Sequence, residues 1–268
     1  MGGPVSRLFV ETVGLFAPGL SSWQEGCAVL QGRAPWQDEP LPRYQPALLP
    51  ANERRRATAL VRLAFGACEQ AVAGRLQEAA GLAAVFASSG GDYAINDQIC
   101  RALASVERRV SPTQFHNSVH NAPAGYWSIA TGSREPSLSL CAYDFTAGAA
   151  LLEAATLVTL ERRSVLLAIY DNTIEWPMSG KREVLRPFSA ALWLTPEPTA
   201  QSLCGLVVAP GERGREPAGA DAAGLELLRR GNPAARLLPL LECIARQRGG
   251  AVLALPGGGA LHAAVRPC

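Results

Sequence analysis

Short, nearly continuous apolar runs recur along the chain, each bounded by Gly, Pro or small polar clusters. Runs of this kind are typical of β-strands, and continuous apolarity indicates strands covered on both faces, as in a parallel sheet. They are found at 8–13, 82–87, 136–143, 164–171, 189–195 and 201–208, and a last pair at 251–255 and 260–265 predicts a hairpin. The pattern therefore predicts an α/β protein.

Apolar residues spaced three and four apart predict helices between these runs. The predicted helices cover 22–31, 53–80, 92–105 and 233–248, and others begin at Ser111 and after a corner at Asp144. Asn52 is the expected N-cap of the helix 53–80. The Pro-rich stretch 34–51, residues 172–188 and the polar segment 210–222 are predicted to be irregular connections.

Residues 121–161 predict a helix, a turn, the buried strand 136–143, a corner at Asp144 and a second helix. A strand that passes directly into a helix points the corner side chain and the unpaired first-turn N–H groups at one spot, which favours negative charge. Enzymes place nucleophiles at such corners, whereas this chain has a carboxylate. An Asp that capped the helix would contribute about 0.5–2 kcal/mol.

The composition favours a folded domain with a large core. Of the 268 residues, 48% are hydrophobic and 18% are charged, and the formal net charge is +2. The length suits one large domain or two small ones, and the composition is not that of a disordered chain. No basic patch with interleaved aromatic residues is present, so nucleic acid is not an expected partner.

The cysteine pattern indicates a reducing compartment. Seven cysteines are scattered without a CxxC pair, and four lie in apolar contexts. We expect reduced, mostly buried thiols in the cytoplasm. No signal peptide, no membrane span, no metal and no cofactor are expected.

The order of residues before the corner resembles that of a known family. The block consists of Asn121-Ala-Pro-Ala-Gly125, Ile129, Gly132 and Pro136-Ser137. It is similar to the N-terminal half of the β-ketoacyl synthases, which reads Asn-x-x-x-Gly, Gly-Pro-Ser and a strand ending in Thr-Ala-Cys. The resemblance implies a thiolase-like, layered α/β/α fold with a mostly parallel central sheet. It also implies a single domain over 1–268. Within that domain the motifs fall at 82–171, residues 1–81 add a strand and helices, and residues 189–268 are divergent strands and a helix.

In register with this family, the nucleophilic cysteine falls on Asp144, and Cys141 lies three residues earlier, inside the predicted strand. One histidine, His262, follows residue 200, whereas a working ketosynthase takes two from its C-terminal half. The chain therefore resembles the chain-length factors, ketosynthase-like subunits that have lost the cysteine. Residues 115–129 are similar to the short chain-length-factor-like proteins of bacterial aryl polyene and xanthomonadin-type pigment clusters.

The resemblance implies a non-catalytic subunit that forms a heterodimer with a catalytic ketosynthase, with chains carried on acyl carrier protein. In the family, the segment beginning here at Ser111 lies at the dimer interface, and the strand at 138–143 extends one sheet across both subunits. Gln114, Phe115 and Ser118 are expected to floor the partner's acyl tunnel and limit chain length. The other candidate tunnel or interface residues are Asn121, Gly125, Tyr143 and Phe145.

Other interpretations of the residues stay open. His116 and His120 stand four apart, a spacing that binds metal when both lie on one helix face. The Gly-rich turn 88–92 could cradle a phosphate or be a simple capped turn. Cys141 with one of the three histidines could serve an acyltransferase or thiol hydrolase, although burial in mid-strand argues against it. A free-standing acyl-binding scaffold is the last alternative.

Overall fold

The computed structural model describes residues 6–211, 219–220 and 223–268, so most of the predicted segment 210–222 lies outside the described residues. The described strands are β1 Ser6–Phe16, β2 Ala83–Ala87, β3 Ser137–Leu140, β4 Val165–Asp171, β5 Phe188–Thr195, β6 Cys204–Gly211, β7 Gly249–Ala254 and β8 Ala260–Arg266. Each predicted strand occurs, and the C-terminal hairpin is confirmed as β7 and β8.

The described helices are α1 Trp23–Leu30, α2 Ala51–Arg56, α3 Ala59–Ala71, α4 Leu76–Ala79, α5 Tyr93–Ala104, α6 Pro112–Asn117, α7 Ala122–Thr131, α8 Thr146–Leu160, α9 Ala223–Gly231 and α10 Leu238–Arg246. None of these helices is both long enough and apolar enough to cross a membrane.

Two helix predictions were wrong in extent. The helix 53–80 is three helices, because the Thr58 hydroxyl accepts a hydrogen bond from the Val61 N–H at 3.3 Å and starts α3 anew. Asn52 lies inside α2 and does not cap it, since α2 begins directly after Pro50. The helix 233–248 is a 3₁₀ turn followed by α10, and α9 was not predicted.

The strands form a single mixed sheet in the order β3-β2-β4-β5-β1-β6-β8-β7. β2 pairs in parallel with β3 and β4, and all other pairings are antiparallel. The expectation of a mostly parallel sheet was wrong, because antiparallel strands covered on both faces are as continuously apolar as parallel ones. β1 also inserts between β5 and β6, so the strands predicted at 189–195 and 201–208 do not pair with each other.

Alternate residues of the central strands face two separate helical layers. In β4, Val165, Leu167 and Ile169 belong to one apolar core, and Leu166 and Tyr170 belong to the other. The first core is covered by α1, α8, α9 and α10, and the second by α3 and α7. The predicted layered α/β/α class is therefore confirmed.

The helix α7 is anchored in the second core by aromatic side chains. Tyr126 and Trp127 are fully buried, and the Trp127 ring lies 5.5 Å from Phe65 and 6.4 Å from Phe86, measured between centroids. Because these residues hold one side of α7, its opposite side, which carries Ile129, is left at the surface.

Candidate functional site

The carboxyl ends of the three parallel strands bring polar side chains together at one edge of the sheet, where α/β proteins commonly form sites. β2 leads into Ser88 and Ser89, β3 leads into Cys141, and β4 ends at Asp171. The Cys141 Sγ atom lies 3.1 Å from the Ser89 carbonyl oxygen. The Ser88 hydroxyl donates to the Asp171 carboxylate at 2.8 Å.

Asp171 is a buried carboxylate that the sequence pattern did not single out, because it ends an apolar run. Its Oδ1 atom also accepts the Ser89 N–H at 2.8 Å, whereas its Oδ2 atom has no hydrogen-bond partner among the described residues. Burial raises the pKa of Asp171 to about 6, and the hydrogen bonds from Ser88 and Ser89 oppose that rise.

Replacing Asp171 by Asn should flatten the pH dependence of stability. Because the folded-state pKa of about 6 exceeds the ordinary 3.8, the protonated form is favoured by folding. The wild type should therefore lose on the order of 2 kcal/mol as the pH rises from about 4 through about 6, while the Asn variant loses none from this site. Urea denaturation at pH 4 and pH 7.5 measures the difference.

Asp38→Asn is the control, since Asp38 is a partly exposed carboxylate paired with Arg186 at the surface. If the free energy of unfolding changed with pH in the same way for the wild type and Asp171→Asn, the raised pKa assigned to Asp171 would be contradicted.

Asp144 lies at the strand–helix junction, as the register predicted, but it does not cap α8. A 3₁₀ turn, Tyr143–Phe145, joins β3 to α8, and no side chain makes a cap hydrogen bond at Phe145, the residue before the helix. The Thr146 hydroxyl closes the turn instead, accepting from the Ala142 N–H at 3.1 Å and donating to the Tyr143 carbonyl at 2.7 Å. The predicted capping role was therefore wrong.

Two arginines from distant parts of the chain hold Asp144. Its Oδ1 atom lies 3.0 Å from Arg182 Nη2 and its Oδ2 atom lies 3.3 Å from Arg236 Nη2. Its carbonyl oxygen accepts from Arg236 Nη1 at 2.7 Å. Both carboxylate oxygens are thus engaged by guanidinium groups, an arrangement that suits a structural ion pair and not a nucleophile.

The Arg182 guanidinium also contacts the exposed ring of Tyr143. Its Cζ atom lies 3.5 Å from the ring centroid, and its side chain is only 10% exposed. Arg182 falls in the predicted connection 172–188, and nothing in the local sequence pattern indicated that it would reach Asp144.

A cavity of about 430 Å³ opens beside Asp144. The start of α8, residues Val252–Ala254 of β7 and three arginines line it: Arg229, Arg230 and Arg236. Arg229 and Arg230 both pair with Glu226 at 2.6 Å, and Arg236 pairs with Asp144. Every arginine on the wall is therefore in an ion pair, although the two carboxylates, Glu226 and Asp144, are shared among four guanidinium groups when Arg182 is included.

Cys141 lies outside β3 and is exposed, which corrects the expectation of a thiol buried in mid-strand. Its thiol donates a hydrogen bond to the Ser89 carbonyl oxygen at 3.1 Å. Cys100 and Cys268 are exposed as well, so the expectation of mostly buried thiols was wrong. All seven cysteines lie in the described part of the chain, and none forms a disulfide bond.

The histidine pair does not form a metal site. α6 ends at Asn117, so His116 and His120 do not share a helix face; His116 packs edge-on against Tyr126, and His120 Nε2 lies 3.2 Å from the Ser88 carbonyl oxygen. Within the part of the chain that the structure describes, no group of three or more potential metal ligands is present.

The turn 88–92 is closed by Asp92, whose side chain accepts the Ile95 N–H at 3.1 Å and caps α5.

An apolar surface extends over α6 and α7. Phe115, Val119 and Ile129 are 69%, 50% and 51% exposed, and the groove between them is also lined by Asn121 and Gly125. We call these five residues the α6–α7 surface. Exposed apolar patches of this kind mark sites of interaction.

The remaining candidate residues lie around this surface or at the junction. The Gln114 amide donates to Gln98 at 2.9 Å and the Ser118 hydroxyl donates to the Phe115 carbonyl at 2.8 Å, so both are engaged within α5 and α6. Tyr143 and Phe145 lie at the strand–helix junction and do not line the groove.

β3 is the outer strand of the sheet and is hydrogen-bonded along one edge only, to β2. Ser137, Leu138 and Ser139 are exposed, so the expectation of a buried strand over 136–143 was wrong for the described chain. A strand with an open edge and an exposed apolar side chain is a site at which another strand can add.

The fold and the strand–helix junction together define a ketosynthase-type α/β protein. The family model of the β-ketoacyl synthase N-terminal domain matches residues 23–224, a wider span than the motifs within 82–171. The chain therefore belongs to the β-ketoacyl synthase N-terminal domain family. No curated protein matches the chain in sequence.

Solved structures share the fold over nearly the whole chain. The complex of the ketosynthase ApeO with its chain length factor ApeC from Xenorhabdus doucetiae matches with a TM-score of 0.72 at 24% identity, covering 96% of this chain and 99% of that chain. The ishigamide ketosynthase/chain length factor matches with a TM-score of 0.69 at 13% identity, covering 98% and 99%. The AntDE:AntF complex, a type II acyl-carrier protein with its ketosynthase bound to a hexaketide, gives 0.74 at 12%, covering 99% and 100%. At these identities the likeness establishes the thiolase-like ketosynthase fold.

Proposed function

We propose that this chain is a non-catalytic, chain-length-factor-like subunit of a β-ketoacyl–acyl carrier protein synthase. The observation that carries the proposal is Asp144, which stands in register with the family's nucleophilic cysteine and is held by Arg182 and Arg236. A condensing enzyme needs a thiolate to accept the acyl chain. A carboxylate engaged on both oxygens by guanidinium groups does not supply one.

Two open surfaces support pairing with a catalytic ketosynthase. The α6–α7 surface exposes large apolar side chains, and β3 has one unpaired edge. A partner subunit could cover the α6–α7 surface and add a strand to the open edge of β3. The exposed apolar side chains would then be buried, and the free backbone groups of β3 would be hydrogen-bonded. The structural likeness to complexes of a ketosynthase with a chain length factor is consistent with this arrangement.

The same proposal includes acyl carrier protein as the carrier of the growing chain and a polyene of the aryl polyene type as the product. The three exposed free cysteines suit a reducing compartment, so we place the complex in the bacterial cytoplasm.

Co-purification and a condensation assay test this function directly. The tagged chain is expressed with a candidate catalytic ketosynthase from the same genome, and condensation of malonyl units on acyl carrier protein is measured for the chain alone, the ketosynthase alone and the pair. We expect a one-to-one complex, with elongation by the complex and none by this chain alone. Elution of the chain without a partner would favour a free-standing acyl-binding scaffold, and condensation by the isolated chain would refute the non-catalytic assignment.

Phe115→Ala should lengthen the product of the complex. Phe115 is the largest exposed side chain of the α6–α7 surface, and its loss opens space where the family's tunnel would end. We expect products longer by one elongation cycle or more, read by mass spectrometry of the released chains. Leu227→Ala on α9, in the opposite helical layer, is the control, and unchanged products from Phe115→Ala would contradict a chain-length role.

The exposure of Cys141 is the one observation that favours a second candidate, an acyltransferase that uses this thiol. Labelling of Cys141 by iodoacetamide with loss of activity would support it. We expect labelling without any effect on elongation by the complex.

A further inference from the structure

A second cavity, of about 450 Å³, lies between the Pro-rich connection that precedes α2, the start of α3 and the end of β1. It shares no lining residue with the groove of the α6–α7 surface or with the cavity beside Asp144. We call it the Arg62 cavity. Its main lining residues are Phe16, Leu41, Pro42, Tyr44, Arg62 and Leu63.

Flat apolar groups form most of the wall. The rings of Phe16 and Tyr44 lie 5.2 Å apart at an interplanar angle of 58°, and Pro42 and Pro187 add two further flat faces. The Tyr44 hydroxyl donates to Glu69, so Tyr44 contributes its apolar ring to the cavity wall. Such walls suit an aromatic ring, which packs against other rings in offset or tilted geometry.

The positive charge on the wall is not compensated within the described chain. The Arg62 side chain donates one hydrogen bond of 3.4 Å, from Nη2 to the Arg54 carbonyl oxygen, and its buried Nε has no partner among the described residues. Arg43 also lines the cavity and makes no hydrogen bond or ion pair with any described residue. No acidic residue lines the cavity, and the carboxylate of Glu69 is turned to the N–H groups of residues 47 and 48.

Apart from the 3.4 Å bond to the Arg54 carbonyl oxygen, the Arg62 Nη groups and the Arg43 guanidinium have no partner among the described residues, and an anion is the partner that guanidinium binds most strongly. The volume lies within the range of ordinary small-molecule sites, which combine apolar walls with a few placed polar groups. We propose that the Arg62 cavity binds a small aromatic monocarboxylate, its ring between the flat walls and its carboxylate on Arg62 and Arg43.

This proposal is independent of the pairing function, because the cavity belongs to the isolated chain. Titration calorimetry of the wild-type chain can therefore use 1-naphthylacetate as the probe, with 1-naphthylacetamide as its neutral isostere. We expect saturable one-to-one binding of the acid and about tenfold or more weaker binding of the amide, since only the carboxylate forms charge-assisted bonds with the arginines.

Three variants locate the binding. Arg62→Met keeps an apolar stem without the charge and should weaken the acid about tenfold or more while leaving the amide unchanged. Ala59→Trp, at an exposed wall position, should block both probes without removing either arginine. Arg101→Met, which removes an exposed arginine of α5, should bind like the wild type.

Thermal unfolding confirms that each variant is folded before titration. Equal affinity for acid and amide, or unchanged acid binding by Arg62→Met, would overturn the proposal. Either result leaves the pairing function untouched, because none of these residues belongs to the α6–α7 surface or to β3.

Discussion

Ile129→Glu is expected to separate the chain from the proposed ketosynthase partner without unfolding it. Ile129 is about half exposed on α7 and lines the groove of the α6–α7 surface. In the isolated chain the new carboxylate faces water, so the free energy of unfolding should change by no more than about 0.5 kcal/mol. In the complex it would be buried without a partner charge, and the affinity should fall at least about 100-fold.

Co-purification and analytical ultracentrifugation of the tagged pair measure this effect. Ile129→Met keeps the apolar character and should retain the complex. Leu227→Glu introduces the same charge at a residue 71% exposed on α9, in the opposite helical layer, and should also retain it. If Ile129→Glu and Leu227→Glu behave alike, the α6–α7 surface does not meet the partner.

The apolar runs predicted the strands well, because a short, continuous apolar run bounded by turn residues fits few structures other than a strand buried on both faces. β4, for example, is buried at every residue and matches the run 164–171 within one residue at its start. Strand direction is a property of the connections and not of the run, so the antiparallel β5 and β1 could not be recognised. The helix 53–80 was overextended because its apolar positions lie only within α3, and the Thr58 hydroxyl cap that separates α3 from the polar α2 was not recognised.

The position of a site residue could be predicted where it follows from the order of neighbouring elements in the chain. It could not be predicted where it depends on contacts with residues distant in sequence. Asp144 lies at the junction because a strand, a tight turn and a helix of small residues follow one another in the chain. The arginines that bind it come from residues 182 and 236, and their contacts arise only from packing of separate elements. The exposure of Cys141 and β3 was missed for a related reason. An edge strand can carry the same apolar residues as a buried one.

Asp144 also has a structural role at the strand–helix junction. Its carboxylate anchors Arg182, and Arg182 in turn contacts the ring of Tyr143, an exposed aromatic residue whose φ of 52° lies in the left-handed region. That conformation is costly for a residue with a side chain and persists only when neighbouring contacts hold it. Through Arg182, Asp144 therefore supports the backbone conformation at Tyr143.

Gly125→Ala should stabilise the isolated chain and weaken its complex. Gly125 lies inside α7, where a glycine costs about 1 kcal/mol relative to alanine. A Cβ atom added there would meet no atom within 4 Å, so nothing in the described chain requires glycine. The open space lies on the wall of the α6–α7 groove, and close approach of a partner backbone is a physical reason for a glycine at this position.

We therefore expect the free energy of unfolding to rise by about 0.5–1 kcal/mol and the affinity for the ketosynthase to fall by about 10–100-fold through overpacking. Urea denaturation of the chain and titration against the isolated ketosynthase measure the two quantities. Gly81→Ala, in an exposed turn where the added atom makes only an ordinary contact, is the matched control and should leave the affinity unchanged. A gain in stability with undiminished affinity would show that the groove stays open in the complex and that the partner binds elsewhere. A rise in the free energy of unfolding together with a fall in affinity would indicate that the glycine serves the partner interface. If the fold itself required glycine at this position, the substitution would destabilise the isolated chain.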